Sequence, residues 1–371
     1  MTSSALPLRR LVSGQGEHPL GVGCRPIGGP ALDHGADVGW APVCDGSAVE
    51  ALLRAHDEGA TVYATSDIYG LGHSQRLLGR MLAQVRRQDV RITCTIGSFK
   101  GTGLSGYSTL SLHGQVEQTL ENLGVESLDV LTLAHTDFGP DDRYLDEARE
   151  ILQALRDHQD VKAIGMRAPH RLTADFTAVG AGAQCQDSTP RFMHLFQQFG
   201  PEVLSVSVNP LSTPLPPEGT AGTGAEDIFS FARRQGVATM VYKPLGQGLL
   251  TGKYGPQTLF HPGDVRCRIA PATVETIHRG LQPLRERFGA EPQTLARIAL
   301  QHCLRRYPDS VVLTGVSDTH QVISNFQGLT TELSDEDFEF VEAAYASLRD
   351  RIRRCPTAQI SGPLPPRQAV R

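Results

Sequence analysis

The chain has 371 residues, of which 40% are hydrophobic and 20% charged, with a formal net charge of −5. This is the composition of a globular protein rather than of a fibrous or disordered chain, and it provides no basic field of the kind a nucleic-acid partner requires. Seven cysteines lie scattered without a CxxC pair, so neither a zinc site nor a disulfide framework is expected, and reduced thiols in a cytoplasmic protein are. The sequence has no apolar run of about 18 residues, so no membrane partner is expected.

In chain order, a Gly/Pro-rich opening holds one short apolar strand near 19–23. A helical pattern at 47–59 precedes a strand at Thr61–Ala64. Helix 74–86, strand Val90–Cys94, helix 112–123, strand Leu128–Leu133, helix 145–158 and strand Val161–Met166 follow. The second half repeats the alternation: strand Val203–Val208, helix 225–235, strand Val237–Tyr242, helices 272–287 and 292–305, strand Ser310–Thr314 and helix 319–327. A last amphipathic helix is predicted over 334–353, with Ser334 and the acids after it as an N-cap signal. Short strands alternating with helices of about 12 residues predict parallel βα units. Their number, seven or eight, favours a closed (β/α)₈ barrel with an extra C-terminal helix. One domain is expected over 1–355, with a disordered tail over 356–371. The stretch 209–225 reads as a mobile loop over the barrel mouth.

Three segments carry a family pattern. Residues 59–70, ending Asp67-Ile68-Tyr69-Gly70, resemble G-x-x-x-F-D-T-A-x-x-Y-G. Tyr242-Lys243-Pro244-Leu245-Gly246 and the residues to Lys253 resemble Y-S-P-L-G-x-G-x-L-T-G-K. Gly315 to Asn325 resembles G-x-S-x-x-x-Q-x-x-E-N, and the strand ending at His135 adds a fourth match. Together these resemble the aldo-keto reductase family, over roughly residues 19–327, and most of all its sugar- and pyridoxal-dehydrogenase branch.

The resemblance implies hydride transfer between a nicotinamide and a carbonyl. A Tyr donates the proton, a Lys held by an Asp lowers that Tyr's pKa from near 10, and a His orients the substrate. It places Tyr69 and His135 at the Tyr and His positions. Ala64 stands at the Asp position and Thr95 at the Lys position, and both are predicted inert; Lys100 lies five residues further on. It also assigns Tyr242, Leu245, Gly246, Ser317, Gln321 and Asn325 to binding NADP or NAD, in a site weakened by Arg167-Ala168 for Ser-Asn, Ser205 for Gln and Ser324 for Glu. No Lys or Arg occupies 315–325 to select a 2′-phosphate.

Arg167 cannot lose its proton and requires an anion, either in a substrate or in an internal partner such as Asp137. Arg167 and Asp137 are therefore taken as candidate substrate-binding residues for a small, anionic molecule. With the proton-transfer half kept and the Asp–Lys pair absent, the leading expectation is non-redox acid/base chemistry: elimination, isomerisation or condensation of a carbonyl compound. The alternatives are an NAD(P)H-dependent carbonyl oxidoreductase in which Lys100 or Arg167 supplies the missing cation, and a non-catalytic ligand-binding barrel.

Overall fold

The computed structural model describes residues 7–12, 16–99, 105–169, 171–172, 189–212, 226–330 and 332–354. Eight parallel strands close into a barrel: β1 Leu20–Gly23, β2 Val62–Ser66, β3 Arg91–Ile96, β4 Val130–Leu133, β5 Ile164–Ala168, β6 Val203–Ser207, β7 Ala238–Tyr242 and β8 Ser310–Gly315. Each strand pairs with its sequence neighbours, and β8 closes on β1 through Val312↔Leu20 to Gly315↔Gly23. The expected (β/α)₈ architecture is therefore present, with β1 where the apolar stretch near 19–23 lies.

Strand alternation builds two apolar layers. Val62, Val130, Ala163, Val203, Met240, Val311 and Leu313 fill the barrel interior, and Leu11 from an N-terminal hairpin (Arg9–Arg10 against Gly16–Glu17) joins them. The neighbouring positions face outward. Tyr63 is fully buried under helix α1 (Asp45–Asp57), where its hydroxyl donates to Leu52 O at 3.1 Å.

Helices α2 (His73–Leu82), α3 (Thr109–Leu123), α4 (Leu145–Asp157), α5 (Thr189–Phe199) and α6 (Ile228–Gln235) surround the barrel, followed by α7 (Pro271–Gly280), α8 (Gln282–Phe288), α9 (Pro292–Arg306), α10 (Thr319–Gln327) and α11 (Asp335–Arg354). Helix α4 shows the cause. Leu145, Ala148, Ile151, Leu152 and Leu155 recur at helical spacing and are its buried face. At α11 the Asp337 N–H bonds Ser334 Oγ at 3.1 Å, the cap read from the sequence.

Two expectations are corrected. The single helix over 272–287 is two, because Pro283 lacks the N–H a continuous helix needs, and the chain breaks at Leu281. Helix α5 has no counterpart among the elements read from the sequence; its Met193, Phe196 and Phe199 pack into the main cluster. Loop residues 213–225 and the tail 356–371 lie outside the described residues, as do Lys100 and His170.

Candidate active site

The C-terminal ends of the strands surround a cavity of about 460 Å³. Gly23, Ala64, Arg167, Tyr242, Leu313 and Gly315 line it from the barrel, Arg25 and Tyr69 from the loops after β1 and β2, Lys243, Leu245 and Gln247 from the loop after β7, and Ser317, Gln321 and Asn325 from the β8–α10 connection. This is the face at which such barrels place their chemistry.

Tyr69 reaches the cavity because the backbone beside it packs tightly. Gly70 has φ +60°, and a Cβ there would lie 2.0 Å from Gly28 O. Only glycine permits that approach, which gives the Tyr-Gly pair its structural reason. Among the described residues the Tyr69 hydroxyl has no hydrogen-bond partner and faces the cavity. Burial raises its pKa above the usual value near 10, while Arg25 and Arg167 pull it back down. The Arg25 guanidinium carbon lies 5.3 Å from the Tyr69 ring centroid.

Of the five cations that line the cavity, three stand beside Tyr69 and Tyr242. Arg25 donates to Val38 O at 2.9 Å, and its Nε is buried without a partner. Arg167 donates to Ala134 O at 3.0 Å and stands 5.7 Å from the Tyr242 ring. Burial opposes its charge, but Tyr242, Tyr69, Tyr107 and Asp67 more than offset this and hold the guanidinium protonated. Lys243 Nζ lies 5.6 Å from the same Tyr242 ring. Burial, then Arg25 and Arg167, push its pKa down to about 7. Lys243 was marked in the sequence as the residue that replaces the serine of Y-S-P-L. Arg25 was not: a lone Arg between Cys24 and Pro26 shows nothing in sequence that distinguishes it from a surface residue.

His135 and Asp137 do not line this cavity. His135 Nε2 bonds Gly97 O at 2.8 Å, and its Nδ1 accepts from Asp137 N at 3.2 Å. With both ring nitrogens used in this way, the imidazole is the neutral Nε2–H form. Its backbone N–H and carbonyl both bond the Tyr107 hydroxyl at 3.1 Å, and the two rings lie 4.5 Å apart. Asp137 accepts from Gly139 N at 3.0 Å and has no ion pair with Arg167 among the described residues. The expected grouping of Tyr69, His135, Arg167 and Asp137 around one ligand is therefore split: Tyr69 and Arg167 share the cavity, and the other two brace the loop after β4. Asp67, two residues before Tyr69 in the matched segment, is a loop cap. It accepts from Ile68 N, Phe99 N and the Ser66 hydroxyl at 2.7, 3.0 and 2.8 Å. His73 bonds Gly28 O and Asp45, which makes it a tether.

The residues assigned to a dinucleotide follow the cavity wall. Tyr242 ends β7, and Leu245 lines the turn after it. Gly246, at φ +54°, donates to Lys243 O at 2.9 Å and shapes that turn. Ser317 and Gln321 interlock, Gln321 Nε2 to Ser317 Oγ at 2.8 Å, beside the α10 cap Asp318. Asn325 donates to Thr314 Oγ1 at 3.3 Å. The paired glycines Gly23 and Gly315 leave bare backbone on the cavity floor. A flat ring, an open glycine floor, and hydroxyl and amide groups along one wall suit a nicotinamide dinucleotide. Among the described residues no His/Cys/Asp/Glu group is arranged to hold a metal, and no helix is long and apolar enough to cross a membrane.

An eight-stranded barrel with a tyrosine and a bare-backbone cleft at its C-terminal mouth defines the class as a barrel built for small-molecule chemistry. The chain belongs to the Aldo/keto reductase family, whose sequence model matches residues 34–346. It is 23% identical to L-galactose dehydrogenase of Arabidopsis thaliana over 313 residues, 84% of each chain. It is also 23% identical to the NADH-specific methylglyoxal reductase of Escherichia coli (strain K12), covering 86% of this chain and 91% of that one. The fold matches the structure of a glycerol dehydrogenase from Gluconobacter oxydans with a TM-score of 0.65 and 20% identity, over 94% of this chain and 96% of that one.

These relatives overturn the leading expectation of elimination, isomerisation or condensation, since they are named as dehydrogenases and a reductase. The argument from the missing Asp–Lys pair also fails on physical grounds. Ala64 does remove a carboxylate, but the cavity beside Tyr69 does not lack positive charge.

Proposed function

We propose that the chain is an NAD(P)H-dependent oxidoreductase that reduces a carbonyl compound. The observation that carries this reading is the Tyr69 phenol, which lines the cavity next to two guanidinium groups and on the same wall system as Tyr242. When bound, the nicotinamide supplies the hydride. Tyr242, Leu245, the turn at Gly246, Ser317, Gln321 and Asn325 would hold the dinucleotide. Tyr69 donates a proton from its hydroxyl to the substrate oxygen. Arg25 and Arg167 stabilise the phenolate left behind, the task for which an isolated tyrosine with a pKa near 10 is poorly suited. Arg167 thus takes the part expected of a lysine at position 95, from a different strand.

The test is titration of the purified protein with NADH and NADPH, followed by cofactor fluorescence and by the single Trp40, which lines the cavity. Binding in the micromolar range and turnover of a carbonyl panel are expected, with Tyr69→Phe lowering kcat by about 10²-fold or more. No binding up to about 1 mM, a free energy weaker than roughly −4 kcal/mol, would refute it.

A further inference from the structure

Five cations line the cavity: Arg266 is paired with Asp264 and Lys253 lies over the Tyr254 ring, which leaves Arg25, Arg167 and Lys243 at Tyr69 and Tyr242. Among the described residues, Arg25, Arg167 and Lys243 have no ion pair. The nearby acids make their hydrogen bonds elsewhere: Asp264 to Arg266, with Nε to Oδ1 at 3.0 Å and Nη2 to Oδ2 at 2.6 Å; Asp67 to its three donors; and Asp318, which also lines the cavity, to Gln321 N at 2.9 Å, so that Asp264 and Asp67 favour the charges of Arg25 and Arg167 only through space. Arg25 also has a buried Nε with no partner. Lys243 holds φ +65°, a left-handed conformation that lysine adopts only under constraint. Placing like charges together out of bulk water is unfavourable unless something of opposite sign joins them.

Their placement points to where that anion sits. Arg25 lies over the Tyr69 ring, while Arg167 and Lys243 both lie against the Tyr242 ring. The charges therefore bracket the two tyrosines at the mouth of the barrel. Building on the reading of this site as a carbonyl reductase, we propose that its substrate carries a carboxylate or phosphate close to the carbonyl, and that Arg25, Arg167 and Lys243 seat that anion. The two guanidinium groups suit the planar, bidentate recognition of such oxyanions, and the ammonium adds a point charge. An anion held there would leave the neighbouring carbonyl facing the Tyr69 hydroxyl. The dinucleotide's diphosphate is the other anion the cavity could receive, so the test separates the two.

The full-length protein is assayed with saturating NADH or NADPH on matched pairs: 4-oxobutanoate against butanal, and glyceraldehyde 3-phosphate against glyceraldehyde. At least one anionic member should exceed its neutral partner in kcat/KM by about 100-fold, and Lys243→Met or Arg25→Met should shrink that ratio by about tenfold each. Succinate and inorganic phosphate, titrated against Trp40 fluorescence, should show saturable binding of one or both that Lys243→Met weakens by a similar factor. Equal kcat/KM within both pairs would overturn the proposal. So would a Lys243→Met variant that loses NADPH affinity but keeps the substrate ratio, because the cations would then serve the diphosphate. If no carbonyl is reduced but succinate or phosphate binds and depends on these cations, the anion site stands and carbonyl reduction fails.

Discussion

Lys243→Met should make the protein more stable. The Lys243 ammonium is moved from its ordinary pKa of 10.5 to about 7 by burial and by the charges of Arg25 and Arg167. At about 1.36 kcal/mol per tenfold change, that displacement corresponds to roughly 5 kcal/mol. The cavity admits water, which screens part of it, so about 2 kcal/mol is a reasonable expectation for the gain at pH 7. In a chain of this size the melting temperature should rise by about 3 °C. Methionine matches the length of the lysine stem and leaves the strained φ unchanged, so the comparison isolates the charge. The sign with pH follows from proton counting. Between about 7 and 10.5 the unfolded chain holds the Lys243 proton and the folded one does not, so the wild type gains stability as pH rises through that window and loses it as pH falls toward 7. The advantage of Lys243→Met should therefore be largest at pH 7 and nearly gone by pH 10.5. Equilibrium urea unfolding of both proteins at several pH values reads this directly. A variant no more stable than wild type at pH 7, or a gain that does not change with pH, would refute the reasoning.

Arg167→Met removes one of the two charges that lower the Tyr69 pKa. The rate of carbonyl reduction should fall by about tenfold or more, and the high-pH limb of the kcat profile, where Tyr69 loses its proton, should move upward; a limb that stays in place would separate Arg167 from proton transfer. Asp264→Asn leaves Arg266 buried without its charge partner, since the two side chains are 0% and 3% exposed. Stability in urea should drop by about 3 kcal/mol, with part recovered in Asp264→Asn combined with Arg266→Met.

The barrel was legible because each strand is a short apolar run between helices whose burial repeats at 3.6 residues, and such patterns are local. The Tyr69–Gly70 pair was legible for a similar reason: its tight approach to Gly28 demands a glycine at one fixed place. The surroundings of Tyr69 were not. Arg25, Arg167 and Lys243 come from the ends of β1, β5 and β7, far apart in the chain, and only barrel closure brings them to one cavity. His135 shows the converse. Its place at the end of β4 could be read from sequence, but not the Gly97 carbonyl and Asp137 N–H that hold its ring away from the cavity.

The replacements and the cations form one electrostatic arrangement. An aspartate at position 64 would face Arg25 and Arg167 across the cavity and neutralise one of them internally. Alanine leaves both available. Thr95 is not among the residues that line the cavity. With alanine at position 64 the charge that tunes Tyr69 has no ion-pair partner at that place, and in the proposed reading a ligand anion becomes the balancing group.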